Sequence, residues 1–241
     1  MIFAPRPFLA VLALQVLVCL KCVSSDNTMS SEGTSFALAI YGSDSNSWET
    51  EIAITTRAAT RGKIIYPTST EDLNLPLEHT FRHLVGDSSR VLSGIETKAI
   101  YVETDEPVTV HVASTRASGQ CNPDASLVRP LGGGNNTYYF VASSDKTETS
   151  SWDRRPLSFY MVVATENNTY VEVYRKSGAN FTLDMSETLQ RHQVYTRDST
   201  SDLTGAYVIS SKPVSVYSGH GHVDMSPIVV SICLHVQYQL C

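Results

Sequence analysis

Three residues near the C-terminal end of the chain stand at a spacing that can gather a metal ion: His220, His222 and Asp224, read as HxHxD in "SGHGHVDM". Two neutral imidazoles and a carboxylate suit zinc, and residues two apart point to one side if the chain stays extended. A hydrolase of this type wants a second Asp-His step. Here Met225 follows Asp224, and no further ligand set lies downstream. Gly219 and Gly221 predict instead a turn with exposed histidines, so the three residues remain a candidate metal site and no catalysis is expected of them. Other catalytic readings fail sooner. The run Gly132 to Gly134 precedes a strand rather than a helix, so it lacks the helix N-terminus that captures phosphate and reads as a linker. No GxSxG elbow occurs. Asp153, Arg154 and Arg155 read as a solvated loop leading into a strand. The chain is expected to be a non-enzyme without a cofactor.

The elements that hold these residues are strands. Short runs rich in Val, Ile, Tyr and Thr recur between clusters of Gly, Pro, Ser, Asn and Asp, and helical signals are nearly absent. "TYVEVYRK" alternates, with Tyr170, Glu172 and Tyr174 facing one way and Val171, Val173 and Arg175 the other. One buried and one wet face predict an all-β fold of antiparallel sheets packed as sandwiches.

Composition bounds the compartment and the partners. Arg6 followed by the apolar run Phe8 to Leu20 reads as a signal peptide, residues 1–25. As a helix that run rises only about 20 Å, short of a bilayer core of roughly 30 Å. A soluble, secreted mature chain without a membrane span is expected. Removing residues 1–25 takes away Arg6 and Lys21, leaving 16 basic against 24 acidic residues and a net charge of −8. An acidic chain argues against nucleic acid and against anionic membranes. Asn135, Asn167 and Asn180 are candidate glycosylation sites in Asn-x-Ser/Thr triplets. Cys19 and Cys22 leave with the signal peptide, so Cys121, Cys233 and Cys241 are the disulfide candidates. An odd number points to an intermolecular bridge, hence a disulfide-linked partner, or to a chain that stops before its partner cysteine.

An internal repeat organises the rest. "YVETDEPVTVHVAS", Tyr101 to Ser114, matches "YVISSKPVSVYSGH", Tyr207 to His220, at a constant offset of 106 residues, with Pro107 and Pro213 each opening a strand. "SFALAIYG" has a counterpart in "LSFYMVVATE", "WETEIAIT" in "NTYVEVYR", and a polar stretch ending in "EHTFRHL" or "QRHQVYTR" follows in each half. The expectation is two tandem β modules of about 100 residues, sandwich-like, or alternatively blades of one larger β assembly. Residues 26–31 form a linker, 32–117 the first module, 118–130 an inter-module segment and 131–222 the second module. Residues 223–241 begin a third module or form a tail. His220 then ends a structural strand whose first copy carries Ser114, with Arg116 and Ser118 in place of His222 and Asp224.

The order "GTSFALAI", "DASLVRPLGGGNNTYYFVAS", "SSKPVSVYSGH" and "CLHVQYQL" resembles the N-terminal domain of the IgG Fc-binding protein family, large secreted, mucin-associated proteins. Cys233, His235, Gln239 and Leu240 fit that family's Cys-x-His segment and Gln-Leu step, and the resemblance covers most of residues 32–240. It implies a truncated domain, since the chain stops where another module would start. It departs from the pattern in lacking a cysteine soon after the "SGH", so Cys233 is without its local partner and Cys121 is the alternative to test. What the resemblance implies is a secreted, non-enzymatic binding or structural module of a mucus or matrix protein, with an extracellular protein or glycan as partner, immunoglobulin Fc or mucins among them. The rivals are a metal-dependent hydrolase centred on His220, His222 and Asp224, and a carbohydrate-binding sandwich that stacks sugars on Trp48 and Trp152.

Overall fold

Alternation in the sequence becomes inside and outside in the structure. Along Thr169–Ser177, Thr169, Val171 and Val173 are buried while Tyr170 is exposed and Glu172 half-buried, as the pleat of a strand requires. A computed structural model of the chain describes residues 30–42, 48–116, 124–132, 137–139, 158–223 and 234–240. It is all β, with no α-helix among the described residues and one short 3-10 turn at Asp87–Ser89.

In chain order the first half supplies β1 (Gly33–Leu38), β2 (Ile40–Tyr41), β3 (Trp48–Thr56), β4 (Thr60–Ile65), β5 (Thr70–Leu75), β6 (His79–Val85), β7 (Arg90–Val91), β8 (Gly94–Thr97), β9 (Ile100–Arg116) and β10 (Asp124–Val128). The second half supplies β11 (Thr137–Tyr139), β12 (Ser158–Ala164), β13 (Thr169–Ser177), β14 (Asn180–Leu189), β15 (Gln193–Ser199), β16 (Tyr207–Ser210), β17 (Val214–Val223) and β18 (Leu234–Leu240).

The 17-residue β9 organises the first half because it changes neighbours midway. Its beginning, Ile100 to Thr104, lies between β1 and β4, and β5 flanks β4. Its end, Val108 to Arg116, lies between β3 and β10, and β6 flanks β3. Pro107 falls in the stretch between these two sets of partners, where its missing N–H leaves no ladder bond unmade. β4 approaches β9 so closely that a Cβ at Gly62 would collide with the carbonyl oxygen of Glu103, which is why glycine stands there. In the second half the same path is cut in two. β16 lies between β11 and β13, Ser211 to Pro213 intervene, and β17 lies between β12 and β18.

The two halves are built alike, but not by the strand equivalences expected from sequence. Ile54 faces Val110 as Val162 faces Val216, and Ile64 faces Val102 as Val173 faces Val208. "WETEIAITT" therefore corresponds to "SFYMVVA", "TRGKII" to "TYVEVYRKS", and "GTSFAL" to the strand at Thr137–Tyr139. The sequence alignment slipped by one strand because every strand here has the same period and composition, and neither property says which neighbour a strand takes.

The division expected at residues 118–130 is bridged in both directions. β10 completes the first half's sheet, while β8 leaves the first half and pairs with β15 of the second. Residues 234–240, expected to open a third module or a tail, pair with β17 as β10 pairs with β9. The core is shared too: Phe159, Met161, Val163, Val194 and Tyr217 belong to the same apolar cluster as Phe36, Ile54, Val102 and Val112. Tyr160, Val162 and Ala164 point the other way, into a second cluster with Val171, Val173, Leu189 and Leu203. All seven residues of β12 are consequently buried, the continuous apolar run expected of a strand covered on both faces.

Candidate functional site

The seam between the halves shows how this fold grips a neighbour. β15 begins after the turn Arg191-His192, where His192 has the left-handed φ of 71°. That turn reaches across to the start of β9. The Ala99 N–H donates to the His192 carbonyl at 3.0 Å, and His192 Nδ1 lies 3.0 Å from the Ala99 carbonyl. The His192 N–H donates to the Tyr101 hydroxyl at 3.1 Å, and that hydroxyl donates to the Ala164 carbonyl at 2.5 Å. Arg191 donates to Glu103 at 3.0 Å and lies over the Tyr101 ring at 4.4 Å from its centroid. Next to the turn, β8 runs antiparallel along β15 from Gln193↔Thr97 to Thr196↔Gly94. Elsewhere on the seam Tyr41 stacks on Phe159 at 3.9 Å, and the buried Tyr217 hydroxyl donates to the Ala37 carbonyl at 2.7 Å. Burial pushes the Tyr101 and Tyr217 phenols above their ordinary pKa, so both stay protonated and act as donors.

The equivalent face of the first half is β6 and the turn before it. Among the described strands β6 is the last of its sheet. It pairs with β3 from Thr56↔His79 to Thr50↔Val85 without a register shift. The turn before it has Glu78 at φ 53°, the same left-handed turn position as His192. Leu77 and Leu84 at its two ends are 64% and 66% exposed.

Beside β6 lies a groove of about 400 Å³, lined among others by Tyr66, Ser69, Glu71, His83, Leu84 and Lys98. Its polar centre is a three-residue chain assembled by the β4–β5 hairpin and β6. Tyr66 and His83 Nε2 share a hydrogen bond of 2.8 Å, and His83 Nδ1 lies 3.1 Å from Glu71. Burial and then the Glu71 charge push the Tyr66 phenol up to about 12. A phenol so shifted is a hydrogen-bond donor at neutral pH rather than a nucleophile, which suits orientation or recognition more than covalent chemistry. The spacing of Tyr66, Glu71 and His83 carried no signal in the sequence; "EHTFRHL" drew notice only as part of the repeat.

The residues singled out from sequence are placed as follows. His220 is buried, 3% exposed, on β17 with Ser158 and Val236 as its strand partners. The turn expected at Gly219 and Gly221 is instead strand up to Val223, because β12 and β18 flank it on both sides and hold it extended. His222 lies on the same strand two residues on; Asp224 lies outside the described residues. Asn167 and Asn180 are exposed, in the β12–β13 turn and at the first residue of β14. Asn135, Cys121, Cys233, Cys241 and Trp152 lie outside the described residues, and Trp48 opens β3. No group of three His, Cys, Asp or Glu residues is clustered for a metal among the described residues. No helix among them is long and apolar enough to cross a membrane.

No curated protein and no solved structure matches the chain. Residues 124–241, which begin at β10 and include every described strand of the second half, match the family model described as IgGFc binding protein. That match is to a family of binding domains, and it assigns residues 124–241 to the IgG Fc-binding protein family.

Proposed function

We propose that the chain is a secreted, non-enzymatic binding module acting through protein contacts, with immunoglobulin Fc or mucin-type glycoproteins as the class of partner. The family match over residues 124–241 carries this reading. Sheet edges and turns are surfaces that bind proteins without a reaction centre, and the polar chain in the groove beside β6 holds a phenol that stays protonated. Residues 1–25 act as the signal peptide, and Asn135, Asn167 and Asn180 carry glycans, the last two at exposed positions. Cys121 and Cys233 stand six residues before Leu127 and Gln239, which face the equivalent residues His111 and Tyr217. Cys121 is therefore the partner to test for Cys233, and peptide mapping without reduction would detect a bridge as one linked pair.

The test is a biosensor titration of the chain, secreted from residue 26 onward with its glycans, over immobilised Fc, Fab and a mucin-type glycoprotein. Saturable binding to Fc or to the glycoprotein, with none to Fab, is expected. Binding to neither overturns the proposal.

A further inference from the structure

The first half has a receptor edge that the second half shows in use. Within this molecule the His192 turn and the edge of β15 are occupied by a strand and the residues after it, Gly94 to Tyr101, delivered by the neighbouring half. By the shared register, Phe81 opposite Ile54 corresponds to Tyr195 opposite Val162. Both are half-buried aromatics packed on their own half's core. Glu78 then corresponds to His192, both in the left-handed region, and Leu77 to Arg191, the residue that lies over Tyr101. β6 thus repeats β15 in position, pairing and preceding turn, yet no described strand lies along its outer edge. An edge of seven residues without proline or bulge is also a template for strand addition.

We infer that the Leu77-Glu78 turn and the outer edge of β6 form a docking site for one kind of partner, a β8-type strand from another β module of this build, added antiparallel. The inference rests on the reading of the chain as a protein-binding module and names the form of one partner. Leu77, in place of Arg191, offers an apolar contact to the aromatic ring that follows such a strand. Affinity comes from main-chain hydrogen bonds and selectivity from that contact.

A blocked synthetic peptide of Ser93–Tyr101, "SGIETKAIY", is the probe, and the full glycosylated chain is the receptor. Hydrogen exchange should show new protection confined to residues 77–85. Two N-methylated peptides, one modified at Ile95 and Thr97 and the other at Glu96 and Lys98, separate strand addition from loose adsorption. Only alternate amides of an added strand face its partner, so one analogue should lose binding by about tenfold or more while the other binds as the parent does. Leu77→Asp, at a side chain 64% exposed, should weaken the parent peptide severalfold. Equal loss by both analogues, or protection at residues 193–199 through displacement of β8, overturns the inference. Absence of protection at 77–85 also overturns it. Fc and glycoprotein binding measured on the same sample separates the two proposals, since retained binding without protection at β6 sinks the docking site alone.

Discussion

The two halves of this molecule have the same strand plan, and they differ in what covers equivalent surfaces. In the second half β12 is buried on both faces, and β15 carries both a neighbouring strand and a docked turn. In the first half β3, the counterpart of β12, alternates between Ile52 and Ile54 in the core and the half-buried Glu51 and Ala53, and β6 is the last described strand of its sheet. The polar contact joining each half's sheets differs in kind as well. His83, held between Tyr66 and Glu71, stands where the second half has Arg197, which lies 3.8 Å from Asp184. The comparison teaches that burial here is set by position in the stack of sheets more than by the strand itself, so equivalent substitutions should have unequal effects.

The largest inequality is expected in the shared core. Phe159→Ala removes a fully buried ring that faces the first half and stacks on Tyr41. It should cost about 3–5 kcal/mol. Phe81→Ala, at the half-buried edge of β6, should cost about 1–2 kcal/mol. Urea denaturation followed by tryptophan fluorescence and by circular dichroism should give coincident curves for both variants. Two separated transitions, with Phe159→Ala moving only one, would break the picture of a core common to both halves.

Next in size is the seam hydrogen bond at Tyr101. Tyr101→Phe leaves the Ala164 carbonyl without its donor and the His192 N–H without its acceptor, at a cost of about 1–3 kcal/mol. Tyr66→Phe loses one contact to a half-buried His83 beside an open groove and should cost less than Tyr101→Phe in the same denaturation series.

Much of this comparison was legible in the sequence, and the part that was not has a physical reason. The period-two pattern of "TYVEVYRK" gave its faces, and the constant offset between Tyr101–Ser114 and Tyr207–His220 located the strands that organise each half. Pro107 and Pro213 were expected to open strands; Pro213 directly precedes β17, while Pro107 lies inside β9 at its change of neighbours. The sequence could not say that β12 is covered on both faces, although its unbroken run "SFYMVVA" departs from alternation. Nor could it reveal the β8 crossing, since four residues of ordinary composition carry no address. His220 misled for a related reason: flanking glycines signal a turn only where no neighbouring strands hold the backbone extended, and β12 and β18 do so here. Tyr66, Glu71 and His83 meet only because a hairpin folds two of them against β6.

The alkaline limb of stability should also distinguish the halves' phenols from ordinary ones. Tyr66 ionises near 10 when unfolded and is pushed up to about 12 in the fold, chiefly by burial. Between those values the unfolded chain has lost a proton that the folded chain keeps, so the contribution is complete below about pH 10 and is lost as pH rises toward 12. Tyr101, Tyr160 and Tyr217 are shifted in the same direction, first of all by burial. Phenolate absorbance of the folded chain should show these four ionising only well above pH 10 or on unfolding. Titration of all 12 tyrosines near pH 10 in the folded chain would contradict the burial of the seam.

The smallest contrast is between two arginines. Arg191 pairs with Glu103 at 3.0 Å and covers the Tyr101 ring, so its contact combines charge with packing against the other half. Arg82 pairs with Glu51 at 3.5 Å on β6 with 72% of its side chain exposed. Exposed pairs give at most a few tenths of a kcal/mol once solvent and side-chain entropy are counted, whereas a cation over an aromatic ring adds up to about 1 kcal/mol. Arg191→Ala should therefore lower Tm by about 2–4 °C, and Arg82→Ala should leave it within about 1 °C. Raising the salt to about 1 M should erase most of any Arg82 effect and only part of the Arg191 effect, because stacking survives screening that abolishes an exposed ion pair. If salt erased both alike, the Arg191 contact would be reduced to a surface charge pair, and the turn that carries it would owe its docking to the backbone of His192 alone.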